Sequence, residues 1–274
     1  MLVNERHFEL SKKVAVVTGG AGTLGREFSK SLAESGCSVA LIDMTGPLES
    51  DSMRKFLADH HDLPIHTFSC DITSPDQVSK VVSSIEEQLG LVTILVNNAA
   101  TKTSNLEKFF TKFEDYELET WREIMSVNVD AMFLMSQAIG KRLIEKATTG
   151  SIIQISSIYG LVGPHHKIYE GSNYLGGAIN TPAIYSASKA AVVGLTKYLA
   201  TYWGEYGVRV NCLTPGGIES GQNVVFSRNY GNLVPMNRMG DVSELQGALL
   251  FLSSDASSYV TGQNIVVDGG FVAW

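Results

Sequence analysis

Short, nearly all-apolar runs recur along the chain at 13–17 (KVAVV), 38–42 (SVALI), 65–70 (IHTFSC), 92–96 (VTILV), 152–157 (IIQISS), 209–213 (RVNCL) and 264–267 (NIVV). Runs this short and this rich in branched residues read as strands, and their lack of polar alternation puts both faces of the sheet under cover. Between them lie longer stretches of helical character at 26–35, 49–60, 75–89, 118–145, 181–207 and 241–252. The alternation of the two predicts an α/β fold with a doubly wound parallel sheet and helices on both faces. In the stretch 118–145, Trp121, Ile124, Met125, Met132, Met135, Ile139 and Leu143 form an apolar face of ordinary core spacing. Asn128 interrupts that stretch, as either a satisfied core amide or an anchor for a buried network. Thr181-Pro182 predicts the start of the helix after it, with the threonine oxygen as cap and the proline in the first turn.

Composition narrows the partners. With 274 residues and no linker-like segment the chain reads as one domain. Its net charge of −7 argues against nucleic acid or an anionic membrane surface as main partner, which leaves small molecules. No apolar run approaches a membrane span, and the opening residues 1–13 are polar, so a cytoplasmic location is expected. Cys37, Cys70 and Cys212 are odd in number and widely spaced, and suggest neither a disulfide framework nor a zinc site. His60-His61 and His165-His166 lack accompanying carboxylates and read as loop histidines, so no metal is expected.

Candidate chemistry sits where strands end. The first strand runs into Thr18-Gly19-Gly20-Ala21-Gly22-Thr23-Leu24-Gly25 and then a helix, an arrangement that brings backbone N–H groups and a helix N-terminus against a pyrophosphate. The second strand ends at Asp43, 21 positions beyond Gly22, where a carboxylate binds ribose hydroxyls and repels a 2′-phosphate. No Arg or Lys stands at 44–47 to offset it, which favours NAD over NADP. Asn97-Asn98-Ala99-Ala100 follows the fourth strand, as a ligand site at a sheet edge or a simple turn. Tyr185 and Lys189 fall four apart on one helix face. A phenol with an ordinary pKa of ~10 exchanges protons poorly at neutral pH, and an ammonium one turn away is expected to lower that value. Ser157 upstream offers a hydroxyl for the same substrate oxygen.

Taken in order, these motifs resemble the short-chain dehydrogenase/reductase family from Val14 to Gly270. The resemblance implies a Rossmann-type sheet of about seven strands, with Asn128, Ser157, Tyr185 and Lys189 as the catalytic set. Tyr185 would exchange the hydroxyl proton, Ser157 would hold the substrate oxygen, Lys189 would bind the nicotinamide ribose and lower the Tyr185 pKa, and Asn128 would hold a water. Cofactor contacts implied are Gly19, Gly22, Thr23, Leu24, Gly25, Asp43, Asp71, Ile72, Asn98, Ala99, Tyr185, Lys189, Pro215, Gly216 and Ile218. It also implies a homo-oligomer, dimer or tetramer, packed through the helices containing Asn128 and Tyr185.

Beside mild replacements of a common glycine by Ala100 and a common threonine by Ser220, two larger departures from the family pattern stand out. Thr23 stands where a glycine is usual and Gly22 precedes it, the spacing of longer nucleotide-sugar-modifying relatives, so the cofactor turn is expected to differ locally. An unusually long interval of 28 positions separates Ser157 from Tyr185, which marks an insertion over about 158–182 where substrate choice should reside. A Gly-bounded segment at about 216–240 reads as a lid. Tyr159, Tyr169-Glu170-Gly171 and Gln222 give the insertion and its surroundings a likeness to bacterial surface-polysaccharide and flagellin-glycosylation oxidoreductases, and so point to a sugar, sugar phosphate or nucleotide sugar. His165, Tyr169, Glu170 and Asn173 are candidate polyol contacts, or simply a polar lid. Alternatives are a nucleotide-sugar epimerase or dehydratase with bound NAD, and a noncatalytic cofactor sensor or scaffold. The apolar end, 271–274 (FVAW), is expected to pack on a neighbouring subunit or the active-site rim, or to fray.

Overall fold

The structure is a computed structural model that describes residues 7–44, 50–103, 105–174 and 177–274. Seven parallel strands form one sheet: β1 (Val14–Thr18), β2 (Ser38–Asp43), β3 (Ile65–Ser69), β4 (Val92–Asn97), β5 (Gly150–Ile155), β6 (Val208–Pro215) and β7 (Asn264–Val267). Their spatial order is β3-β2-β1-β4-β5-β6-β7. The order reverses between β1 and β4, which leaves a crevice beyond their C-terminal ends.

Because side chains alternate along a strand, each strand feeds two cores. Val14 and Val16 of β1 face one core, filled by α3 (Pro75–Leu89), α5 (Ala131–Glu145) and α6 (Ala183–Trp203) through Val82, Ile85, Met135, Ile139 and Trp203. Ala15 and Val17 face the other, filled by α1 (Thr23–Glu34) and α8 (Gln246–Ser253) through Phe28, Leu32, Leu249 and Leu252. Helices therefore cover both faces, as the continuous apolar strands require. Two further helices, α2 (Asp51–Asp59) and α4 (Leu118–Met125), come before α5, and α7 (Val224–Gly231) comes between β6 and α8.

Most predicted elements lie within a few residues of their expected bounds, with two instructive differences. The stretch 118–145 is helical throughout, but a π-helical turn at Ser126–Asp130 joins α4 to α5, with the fully buried Asn128 in it. Thr181 does not cap α6. Pro182 occupies the cap position instead, and the Thr181 hydroxyl is hydrogen-bonded to the Tyr169 hydroxyl. The predicted start of the second helix at 49, and positions 45–47 of the stretch without basic residues, lie outside the described residues.

Candidate active site

The turn after β1 is held by its neighbours before any ligand enters. Thr18 Oγ1 accepts from the backbone N–H groups of Asn98 and Ala99, both at 3.1 Å, while Asn98 Nδ2 donates to the carbonyls of Thr18 and Gly19 at 3.0 and 3.1 Å. Asn97, in contrast, points into the core and donates to Gln154 Oε1 at 2.9 Å and Ser136 Oγ at 3.0 Å. Gly19 adopts a left-handed φ of +63°, and a Cβ there would stand 2.7 Å from Ala99 Cα. Gly25 permits the closest approach to backbone in the turn, since a Cβ would lie 2.2 Å from the Gly19 carbonyl oxygen. Gly22 is the cap of α1 at φ −70° and has no such crowding. Replacing the usual glycine by Thr23 therefore costs the turn little: Thr23 is simply the first residue of α1.

A crevice of about 730 Å³ opens along the sheet edge and is lined by Gly19, Gly22, Thr23, Leu24, Asp43, Asp71, Ile72, Asn98, Ala99, Tyr185, Lys189, Pro215, Gly216 and Ile218. Two expected cofactor or catalytic positions are not in its wall. Gly25 lies beneath the turn, where it lets α1 meet the glycine backbone. Asn128 lies behind the wall, its Oδ1 accepting from Thr101 N at 2.9 Å and its Nδ2 donating to Ser188 Oγ at 3.3 Å. The amide thus ties the segment after β4 to α6 from inside the core. Asp43 keeps its carboxylate at the turn, with Oδ2 accepting from Ala21 N at 3.0 Å and Oδ1 from Met44 N at 2.8 Å.

These residues suit a dinucleotide. The turn after β1 lines the crevice with the backbone of Gly19 and Gly22, α1 presents its N-terminus to it, and Asp43 stands at the end of β2.

A second chamber, of about 410 Å³, adjoins the first and shares Ser157, Tyr185, Gly216, Ile218 and Ser220 with it. Tyr159, Tyr169, Phe226, Tyr230 and Met239 form its far side. Tyr169 stacks on Phe226 at 5.5 Å, and Phe271 stacks on Tyr230 at 5.2 Å, so the C-terminal residues brace the chamber wall from within the same chain. The 158–182 insertion is fastened to the following segment: Asn223 Nδ2 donates to Ser172 Oγ at 2.7 Å, and Asn229 Nδ2 to the carbonyls of Ile168 and Glu170 at 3.2 Å. Of the insertion's expected contacts, Tyr169 and Asn173 line the chamber, whereas His165 and Glu170 are exposed and take no part in its wall. The sequence reading missed Phe226, Tyr230, Asn180 and Lys102, which come to the chamber through long-range folding. Only Lys102, three residues past Ala99 at a strand end, left a local signal.

Around the reactive pair, burial governs the electrostatics. Lys189 is buried and donates from Nζ to the Ile155 carbonyl at 3.0 Å, while its own carbonyl accepts from Ser156 Oγ at 2.7 Å. Loss of solvent pulls its amine down to about 8. Burial pushes the Tyr185 phenol up, and its hydrogen bond with Ser157 pulls it back part of the way. The expected depression of Tyr185 by Lys189 is not found in this geometry: the amine donates to the Ile155 carbonyl and is not among the groups that shift the phenol, which burial leaves raised. The other chamber phenols are also raised by burial, Tyr230 to about 12, and stay protonated at neutral pH.

A stability measurement reads the Lys189 shift directly. Below a pH of about 8 the amine is charged in both folded and unfolded chains. Between about 8 and the ordinary lysine value of ~10.4, the folded chain has released a proton that the unfolded chain retains, so stability rises with pH across that window. Urea unfolding of wild type and Lys189→Met at a series of pH values should show a wild-type-specific gain of up to about 3 kcal/mol. Parallel profiles would mean that the amine is not desolvated.

Among the described residues, no helix is long and apolar enough to cross a membrane. The three cysteines are free and buried.

Comparison with known proteins places these features in context. A family model described as enoyl-(acyl carrier protein) reductase matches residues 19–272. D-arabinitol 2-dehydrogenase (ribulose-forming) of Candida tropicalis is 33% identical over 288 residues, covering 97% of this chain and 95% of its own. A crystal structure of a short-chain dehydrogenase from Leptospira borgpetersenii with bound NAD+ is 33% identical and superimposes with a TM-score of 0.81, covering 99% of this chain and 96% of that one. A gluconate 5-dehydrogenase from Burkholderia cenocepacia, crystallised with NADP and tartrate, is 28% identical with a TM-score of 0.83 and covers 99% of both chains.

Proposed function

The chain belongs to the short-chain dehydrogenase/reductase family, whose members are oxidoreductases acting on CH–OH groups, and from that premise we propose that it interconverts a secondary alcohol and a ketone of a sugar or sugar derivative with NAD. The observation that carries this reading is the seam between the two chambers, where Ser157 and Tyr185 belong to both walls. A substrate in the smaller chamber meets there whatever occupies the larger one.

Ser157 holds the substrate oxygen and Tyr185 exchanges its proton. Both hydroxyls stand at the seam of the two chambers, where one substrate oxygen can meet them together. Lys189 is the cation beside the ribose, and Asn128 positions α6 and the Thr101 segment rather than touching substrate. A nicotinamide, when bound, supplies the hydride acceptor. The Asp43 carboxylate supports NAD over NADP, because a 2′-phosphate placed against it would meet like charge. The 158–182 insertion and the 216–240 segment together cover the substrate.

The relatives described above point to polyols and sugar acids, so the sugar chemistry expected from the insertion has company. The narrower likeness to surface-glycan enzymes has no counterpart among them, and activated sugars remain one arm of the test. The glycine spacing that suggested an epimerase or dehydratase sits at Gly22, which serves as the cap of α1 and, with its nearest Cβ neighbour at 3.3 Å, is far less constrained than Gly25. For the assembly, a homo-oligomer fits the exposed Phe133 of α5 and Tyr198 and Tyr202 of α6, and light scattering would count the copies.

The direct experiment supplies NAD or NADP to the purified protein with polyols, sugar acids, sugar phosphates and nucleotide sugars, and follows reduced cofactor. Reduced cofactor should form with at least one sugar-derived substrate, and faster with NAD. No net reduction from any of them would overturn the dehydrogenase reading.

A further inference from the structure

The substrate chamber carries a charge signature opposite to that of the chain. The chain has a net charge of −7. Yet among the described residues lining the smaller chamber there is no carboxylate, and the single charged side chain is Lys102. Lys102 also lines the larger crevice, which places it along the same seam as Ser157 and Tyr185. The ion pairs found among the described residues do not include it. The lysine is exposed and faces the chamber without a carboxylate to satisfy it.

The remaining wall is largely aromatic or carries neutral polar groups, with Asn173, Thr181 and Gln222 among the latter.

Resting on the dehydrogenase reading above, we propose that the substrate is an anionic sugar derivative, whose carboxylate or phosphate pairs with Lys102. A neutral polyol leaves the lysine without its counter-ion. In a chamber with no acid of its own, the charge-assisted contact is the strongest polar interaction the wall offers to a substrate. Lys102 is then a specificity-determining residue, and proton exchange stays with Tyr185.

The test compares three six-carbon probes, D-gluconate, D-glucitol 6-phosphate and D-glucitol, on the full chain with NAD. Wild type should turn over at least one anionic probe with a higher kcat/KM than D-glucitol, and the better of the two identifies the anion as carboxylate or phosphate. Lys102→Met should lower the ratio of anionic to neutral kcat/KM by about tenfold, mainly through KM, and Lys102→Arg should restore it. A wild-type preference for D-glucitol, or a ratio unchanged by Lys102→Met, overturns the proposal. Calorimetric titration of D-gluconate and D-glucitol 6-phosphate into NADH-saturated protein provides a readout independent of turnover. Binding that weakens in Lys102→Met supports the proposal even where none of the three probes is oxidised, and no binding of either anion overturns it even if D-glucitol is turned over. Failure of the dehydrogenase reading would appear separately, as no reduced cofactor from any substrate class.

Discussion

Replacing Tyr185 by Phe is expected to lower kcat/KM by roughly 10²–10⁴-fold while leaving the fold and the dinucleotide crevice in place. The ring that lines both chambers survives the change, and only the phenol oxygen is removed. Loss of one buried hydroxyl leaves a small packing change, so thermal unfolding should move little. Steady-state kinetics on the best substrate, with dinucleotide affinity measured by fluorescence quenching, separates the two consequences. A variant that keeps more than a tenth of wild-type kcat/KM would remove Tyr185 from the proton path. The raised phenol adds a pH signature: in wild type the oxidation rate should keep increasing toward alkaline pH as the hydroxyl gives up its proton more readily, and this dependence should vanish in the variant.

Gly25→Ala should be the most damaging single methyl group in the cofactor turn. Its Cβ would stand 2.2 Å from the Gly19 carbonyl oxygen and 2.7 Å from Gly20 Cα, both backbone atoms that cannot rotate away. Either α1 must lift off β1 or the turn must flatten, and both displace the N–H groups around the crevice. The expected cost is roughly 1–3 kcal/mol of stability, with dinucleotide affinity reduced by tenfold or more. Gly22→Ala is the control, because its nearest neighbour would be 3.3 Å away and its φ of −70° suits any residue. Urea unfolding and cofactor titration on both variants should rank Gly25 far above Gly22. Equal losses at the two positions would contradict the packing described here.

That contrast also shows which features can be read from sequence. The glycine turn, Ser157 and the Tyr185/Lys189 pair were legible because local spacing alone puts them at a strand end or on one helix face. What each glycine does was not. The pattern gave Gly22 and Gly25 equal standing, whereas only the fold reveals that one caps a helix and the other meets backbone. Thr181 illustrates a different limit. Its position before Pro182 suggests a cap, but a phenol from the insertion takes the hydroxyl instead, and tertiary contact overrides local preference. The aromatic wall was legible only in part: Tyr169 of the insertion and the 271–274 end were candidates for the site, whereas Phe226 and Tyr230 of α7 join them only through the fold. Asn128 was recognised as an interruption in a helix. Its work as a tie between Thr101 and Ser188 required the three segments to be seen together.

The seams made by Asn223 and Asn229 bear on how enzymes of this kind diversify. Transplanting a shorter loop in place of residues 158–182 would strand both amides, since their acceptors at Ile168, Glu170, Ser172 and Asn173 would leave with the excised segment. The same exchange would strip Phe226 of its stacking partner. A chimaera that inherits a new appetite intact must therefore import the insertion and the α7 helix as one cassette, and recombination between them would yield a protein with a torn mouth rather than a changed taste.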